Sequence, residues 1–142
     1  MKLLRIYSLI IFLVGSVLFC GCSTCKIFGR NYDEIPPMLD VLTKKVQVAL
    51  EKGYYKGDEN ALLEYVAQKD PNTLNWFVDK NYEIRVSEIA ENAVVLICDD
   101  GKALFEDTSC KSGPPDRDYR NNSTCKPCEI TMTLEEVKAI CE

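Results

Sequence analysis

The period of hydrophobic and polar positions changes along the chain, and each change predicts a different element. Residues 6–19 are almost wholly apolar and carry no charge. From Met38 to Lys52 the period is helical: Met38, Leu39, Leu42, Val46, Ala49 and Leu50 share one face, and Asp40, Thr43, Lys44, Gln47 and Glu51 the other. Pro36-Pro37 suits the first turn, where the missing N–H groups cost nothing, and Gly53 suits the stop. A second helix is predicted from about Glu59 to Lys69, with Asp58 as its cap and Leu62, Leu63 and Val66 as its buried stripe. Asp70-Pro71 opens a short third helix through Leu74, Trp76, Phe77 and Val78.

At Tyr82 the period drops to two. Tyr82, Ile84 and Val86 alternate with Glu83, Arg85 and Ser87, which predicts a half-buried strand. After a turn at Glu91-Asn92, Ala93 to Cys98 is continuously apolar and predicts a central strand covered on both faces. Asp99-Asp100-Gly101-Lys102 is a hairpin signal, and Ala103-Leu104-Phe105 returns as a third strand. Residues 108–128 carry adjacent prolines, several Ser and Asn and three cysteines, and read as a long loop dependent on cross-links. Thr133-Leu134-Glu135-Glu136 is a capping box opening a last helix to Cys141. Helices first and strands afterwards predict an α+β fold. Its N-terminal helices pack on a small antiparallel β-meander, and a disulfide-stapled C-terminal loop and short helix follow.

The opening segment is an address rather than part of the fold. Lys2 and Arg5 precede the apolar run, which is the shape of a secretory signal. The run is about 15 residues, short against the ~20 needed to span a bilayer. It closes on Leu18-Phe19-Cys20-Gly21-Cys22 and resembles the bacterial lipoprotein signal, which ends in a small residue followed by the lipidated cysteine. Gly21 and Cys22 fit that ending; Phe19 stands where Leu or Val is usual. The resemblance implies a signal peptide over 1–21, a lipidated tether over 22–35 and a single α+β domain over 36–142. It also implies a diacylglyceryl thioether and an N-acyl chain on Cys22, enough acyl groups for stable anchoring. Ser23 is not the aspartate associated with inner-membrane retention, so the periplasmic face of the outer membrane is favoured. The membrane, reached through the Cys22 lipid, is the implied partner, with room for a protein partner in the cell envelope.

Composition narrows the function by exclusion. The 142 residues suit one domain, and 46% hydrophobic against 27% charged residues allow a core. The net charge is −5, and losing Lys2 and Arg5 with the signal would deepen it to −7. The densest basic clusters are Lys44-Lys45 and Arg117 with Arg120, too sparse to neutralise phosphates, so nucleic acid is not expected as a partner. There is no histidine, which excludes Ser-His-Asp and Cys-His nucleophiles, His-ligated zinc and haem attachment through C-x-x-C-H. No catalytic residue, cofactor or metal is assigned.

Eight cysteines define the remaining chemistry. Besides Cys22, the mature chain keeps Cys25, Cys98, Cys110, Cys125, Cys128 and Cys141 as disulfide candidates. Simple hairpin register sets Cys98 opposite Ala103, so a bridge from Cys98 to Cys110 needs the chain to fold back after Asp107. That 98–110 bridge is the expectation, with Cys141 pairing to Cys125 or Cys128. Cys125-Lys126-Pro127-Cys128 resembles the redox motif of the thioredoxin family, where the first cysteine sits at a helix N-terminus after a strand. Here Glu129 to Thr133 reads as extended and no strand precedes Cys125, so structural staples are expected. A thiol–disulfide oxidoreductase using Cys125 and Cys128 is the alternative. The acids Asp99-Asp100 and Glu106-Asp107 are expected to be solvated beside the hairpin, and Trp76 and Phe77 to join the core. The reading as a whole is a membrane-anchored periplasmic lipoprotein whose domain binds or supports rather than catalyses.

Overall fold

A computed structural model of the chain describes residues 31–55, 57–113, 120–121 and 126–142. The signal segment, Cys22, Cys25 and Cys125 lie outside the described residues. Helices α1 (Ile35–Glu51), α2 (Glu59–Lys69) and α3 (Pro71–Asp79) come first, then strands β1 (Glu83–Ile89), β2 (Asn92–Asp99) and β3 (Lys102–Ser109). A two-residue strand β4 (Arg120–Asn121) and helix α4 (Leu134–Cys141) complete the α+β fold. The sheet is antiparallel in the order β1-β2-β3-β4.

Local chemistry explains the boundaries. Pro36 and Pro37 occupy the first turn of α1, and Gly53 ends it with φ of 77°, its N–H donating to Leu50 O at 2.9 Å. Asp58 caps α2 by accepting from Asn60 N at 2.9 Å. Thr133 and Glu136 form a complete capping box on α4. The β2–β3 turn puts both Asp100 and Gly101 at positive φ, the twist that a two-residue hairpin needs. The β1–β2 turn does the same with Ala90 and Glu91, one residue earlier than the Glu91-Asn92 turn read from sequence. Asn92 instead starts β2, and its side chain accepts from Lys111 N at 2.9 Å.

The helices cover one face of the sheet. Ile84, Val86, Ala93, Val95 and Ile97 point into a core shared with Leu39, Leu42, Val46, Ala49, Leu62, Val66 and Phe77. Phe77 is fully buried, and Trp76 packs against this core with its ring edge-on to Phe77 at 4.8 Å. Two positions assigned to the polar face of α1 are buried instead. Thr43 returns its hydroxyl to Leu39 O at 2.7 Å, which satisfies it without water. The Gln47 amide accepts from Ala93 N at 2.7 Å and donates to Glu91 O at 3.2 Å, pinning α1 to the β1–β2 turn.

The second face is covered by the C-terminal segment 126–142, a strap that crosses the sheet. Val94 packs with Met132 and Val137, and Leu96, Cys98 and Ala103 pack with Cys128 and Ile130. Every residue of β2 from Asn92 to Cys98 is therefore buried.

β3 is longer than the sequence pattern indicates and continues past a register shift at Leu104 to Ser109, so part of the expected 108–128 loop is strand. Glu106 and Asp107 are buried rather than solvated, contrary to expectation. The cause lies in register: Glu106 stands opposite Leu96 on the strap side, and Asp107 opposite Val95. The Glu106 carboxylate accepts from Thr131 N at 2.8 Å, Met132 N at 3.0 Å and the Thr131 hydroxyl at 2.9 Å. A buried carboxylate thus clamps the extended part of the strap, whose backbone has no ladder of its own there.

Glu106→Ala should destabilise the fold by about 3 kcal/mol, because it removes charge-assisted bonds and leaves strap N–H groups without an acceptor. Glu106→Gln keeps one oxygen for both N–H groups and lets the Thr131 hydroxyl turn to accept, so about 1 kcal/mol is expected. Urea denaturation of the two variants checks this; equal losses would contradict a clamp made by hydrogen bonding.

Candidate functional site

The cysteines are the first candidates, and the structure pairs them differently from the expectation. Cys98 is bonded to Cys128, with Cα atoms 5.8 Å apart, and Cys110 to Cys141, with Cα atoms 5.3 Å apart. The expected 98–110 bridge and the expected pairing of Cys141 with Cys125 or Cys128 are both corrected. Because β3 continues to Ser109, Cys110 lies at the opposite end of the sheet from Cys98. Roughly seven residues of extended chain separate it from Ala103, the register partner of Cys98, or about 23 Å. No disulfide reaches that far.

The strap brings the right partners together. Lys126 O accepts from Ala103 N at 3.1 Å, Cys128 N donates to Gly101 O at 3.0 Å, and Pro127 bridges Lys102. This lays Cys128 beside the end of β2. At the far end of the strap, α4 delivers Cys141 to Cys110. The two closed loops interlock, with sequence separations of 30 and 31. Each would contribute about 3–4 kcal/mol if closed alone, on the chain-entropy account.

These bonds bear directly on the C-x-P-C motif. A dithiol catalyst needs its two motif cysteines to pair with each other, on a helix N-terminus. Here Cys128 is bonded to a fully buried cysteine on the central strand, and the next helix begins only at Leu134. Among the described residues no cluster of three or more Cys, Asp or Glu is placed to hold a metal ion. The carboxylate of Glu136 is held well below its ordinary range, at about 2, by Arg120 and by the Thr133 cap. That ion pair joins β4 to α4, so its role is to hold the strap.

A second candidate lies on the other side of the molecule, and sequence reasoning missed it. A groove of about 450 Å³ runs between α1 and α2. Val41, Lys44, Lys45 and Val48 form one wall, and Tyr65, Val66 and Lys69 the other, with Asp70 at the end. The α1 wall repeats at i, i+3, i+4 and i+7, a complete helical face distinct from the stripe that packs on the sheet. Val41 and Val48 are 39% and 44% exposed, which sets them apart from the buried apolar residues of α1. The signal was available: two valines fall outside the apolar stripe at a spacing of two turns.

The walls are held in place by their own contacts. Lys45 Nζ reaches across to Asp70 Oδ2 at 2.7 Å and closes one end. Asp70 also accepts from the Thr73 hydroxyl at 2.9 Å, which occupies its side chain at the start of α3. Tyr65 stacks on Tyr54 with ring centroids 4.4 Å apart and accepts from Lys52 Nζ at 3.0 Å. Lys44 pairs with Asp40 one turn back, at 2.6 Å. The groove therefore has an apolar floor, an ordered tyrosine and a rim of ammonium groups. Its size falls in the range of small-molecule sites.

No family model, curated protein or solved structure matches the chain.

Electrostatics along the groove give a direct check. Lys45 holds the Asp70 carboxyl below its ordinary value, with Thr73 adding to the effect. Lys45→Met should raise the Asp70 midpoint toward that of a free aspartate and leave the Glu136 midpoint at about 2. Both carboxyls are depressed in the folded state, so their contribution is complete above the unfolded values. For Glu136 it disappears as pH falls toward about 2, and for Asp70 as pH falls through its lowered folded-state value. Carbon-detected carboxyl titration by NMR measures both; an Asp70 midpoint unmoved in Lys45→Met would contradict the assignment.

Proposed function

We propose that the chain is a lipid-anchored protein of the bacterial cell envelope, held through Cys22 and facing the periplasm, whose stapled α+β domain binds rather than catalyses. One observation carries the choice of binding over redox catalysis: Cys128 is bonded to Cys98 on the central strand, not to its motif neighbour. The alternative oxidoreductase reading loses its dithiol at that point. The anchor rests on the Gly21-Cys22 ending of the opening segment, and an oxidising compartment accords with the two bridges. Among the described residues no helix is long and apolar enough to cross a membrane, so in this reading the lipid supplies the attachment.

The described residues then present a sheet covered on both faces and an open groove between α1 and α2. The strap closes the first site that chemistry would have used, and the α1–α2 groove remains as the exposed apolar concavity with charged rims. A protein partner in the cell envelope or a small ligand would meet the domain there.

Cys22→Ala should abolish incorporation of labelled palmitate and leave the precursor at full length, because the lipid thioether forms on that sulfur. Metabolic labelling followed by immunoprecipitation measures both at once. Palmitate label that persists in Cys22→Ala would overturn the anchor.

A further inference from the structure

We propose that the α1–α2 groove binds a single-chain fatty acid, with the hydrocarbon tail along Val41, Val48 and Val66 and the carboxylate at Lys69. This rests on the reading of the domain as a binding module and names what that module takes. In a chain with 22 acidic and 17 basic side chains, the groove is rimmed by Lys44, Lys45 and Lys69. Lys44 is paired with Asp40 and Lys45 with Asp70. Lys69 has no acidic partner among the described residues. One ammonium is thus left uncompensated beside an apolar floor, which complements a ligand with one negative charge and a hydrocarbon body.

Shape selects among ligands of that charge. Val41 and Val48 are two helical turns apart, so the exposed apolar stripe is about 10 Å long. That matches an extended chain of medium length. A docked amphipathic helix would need a longer apolar stripe to offset its ordering. A second copy of this chain is disfavoured because a two-fold contact would set Lys44, Lys45 and Lys69 against their own images. The walls are already ordered, Tyr65 by Tyr54 and Lys52, and Lys45 by Asp70, so little side-chain freedom remains to be lost on binding.

The test uses the full chain, reconstituted in phosphatidylcholine nanodiscs. Decanoic acid carrying a terminal diazirine is photo-crosslinked and its attachment mapped by peptide mass spectrometry, beside the matching decanol probe. The acid should label the segments containing Val41–Val48 and Val66–Lys69, and unlabelled decanoate should compete. Decanol should label the same segments several-fold less. Lys69→Gln should lower labelling by the acid about three- to fivefold without changing labelling by the alcohol. Equal labelling by acid and alcohol, no competition, or indifference to Lys69→Gln would overturn the proposal. So would protection of the groove that arises from adding phosphatidylglycerol to the disc rather than from decanoate, since that marks a membrane surface. If the groove fails to label while the protein stays in the disc through Cys22, the ligand assignment alone falls. If the protein leaves the disc, the anchor falls instead.

Discussion

β2 is continuously apolar from Ala93 to Cys98, and a strand of that kind cannot leave either face in water. The helices cover Val95 and Ile97, but Val94, Leu96 and Cys98 point the other way and need a second cover. The rest of the structure follows from supplying it. The C-terminal strap is short and partly extended, so its own apolar contacts, Ile130, Met132 and Val137, cannot by themselves offset the ordering of its backbone. Three kinds of restraint do so together. The Glu106 carboxylate gathers the N–H groups of Thr131 and Met132, the Arg120–Glu136 pair ties β4 to α4, and a disulfide fixes each end.

Much of this fold is legible in the sequence, and the parts that are not share a cause. The helix stripe of α1, the capping box at Thr133, the hairpin at Asp100-Gly101 and the register of Cys98 with Ala103 are local signals, and the structure contains them all. The length of β3 is not local. Glu106, Asp107, Thr108 and Ser109 are polar, and only their burial between the strap and the helix layer makes them strand. Polar composition reads as a loop, a loop allows a fold-back after Asp107, and a fold-back allows a 98–110 bridge. One missed tertiary contact thus propagated into the cysteine pairing. Thr43 and Gln47 fail for the same reason: their burial depends on Leu39 O and on the β1–β2 turn, neither of which a helical wheel contains.

The same logic separates the two candidate sites. C-x-P-C is a compact motif in the strap, yet its meaning depends on which partner the sheet brings to Cys128. The groove carries no motif, and its only trace in the sequence is the pair Val41 and Val48 outside the buried stripe. Exposed apolar residues scattered singly need no explanation, but two on one helix face, opposite a tyrosine and ringed by lysines, form a surface with a direction. Staples on one side and a groove on the other divide the molecule into a face that holds the fold and a face that carries an open apolar concavity.

The strap is covalently closed over β2, and Cys128 serves as a staple rather than as half of a dithiol. A non-reducing proteolytic peptide map of the full chain tests it most directly. Closure by these staples predicts one cross-linked peptide pair containing Cys98 with Cys128 and another containing Cys110 with Cys141. A peptide with Cys125 and Cys128 joined to each other, or Cys98 recovered as an alkylated free thiol, would contradict it.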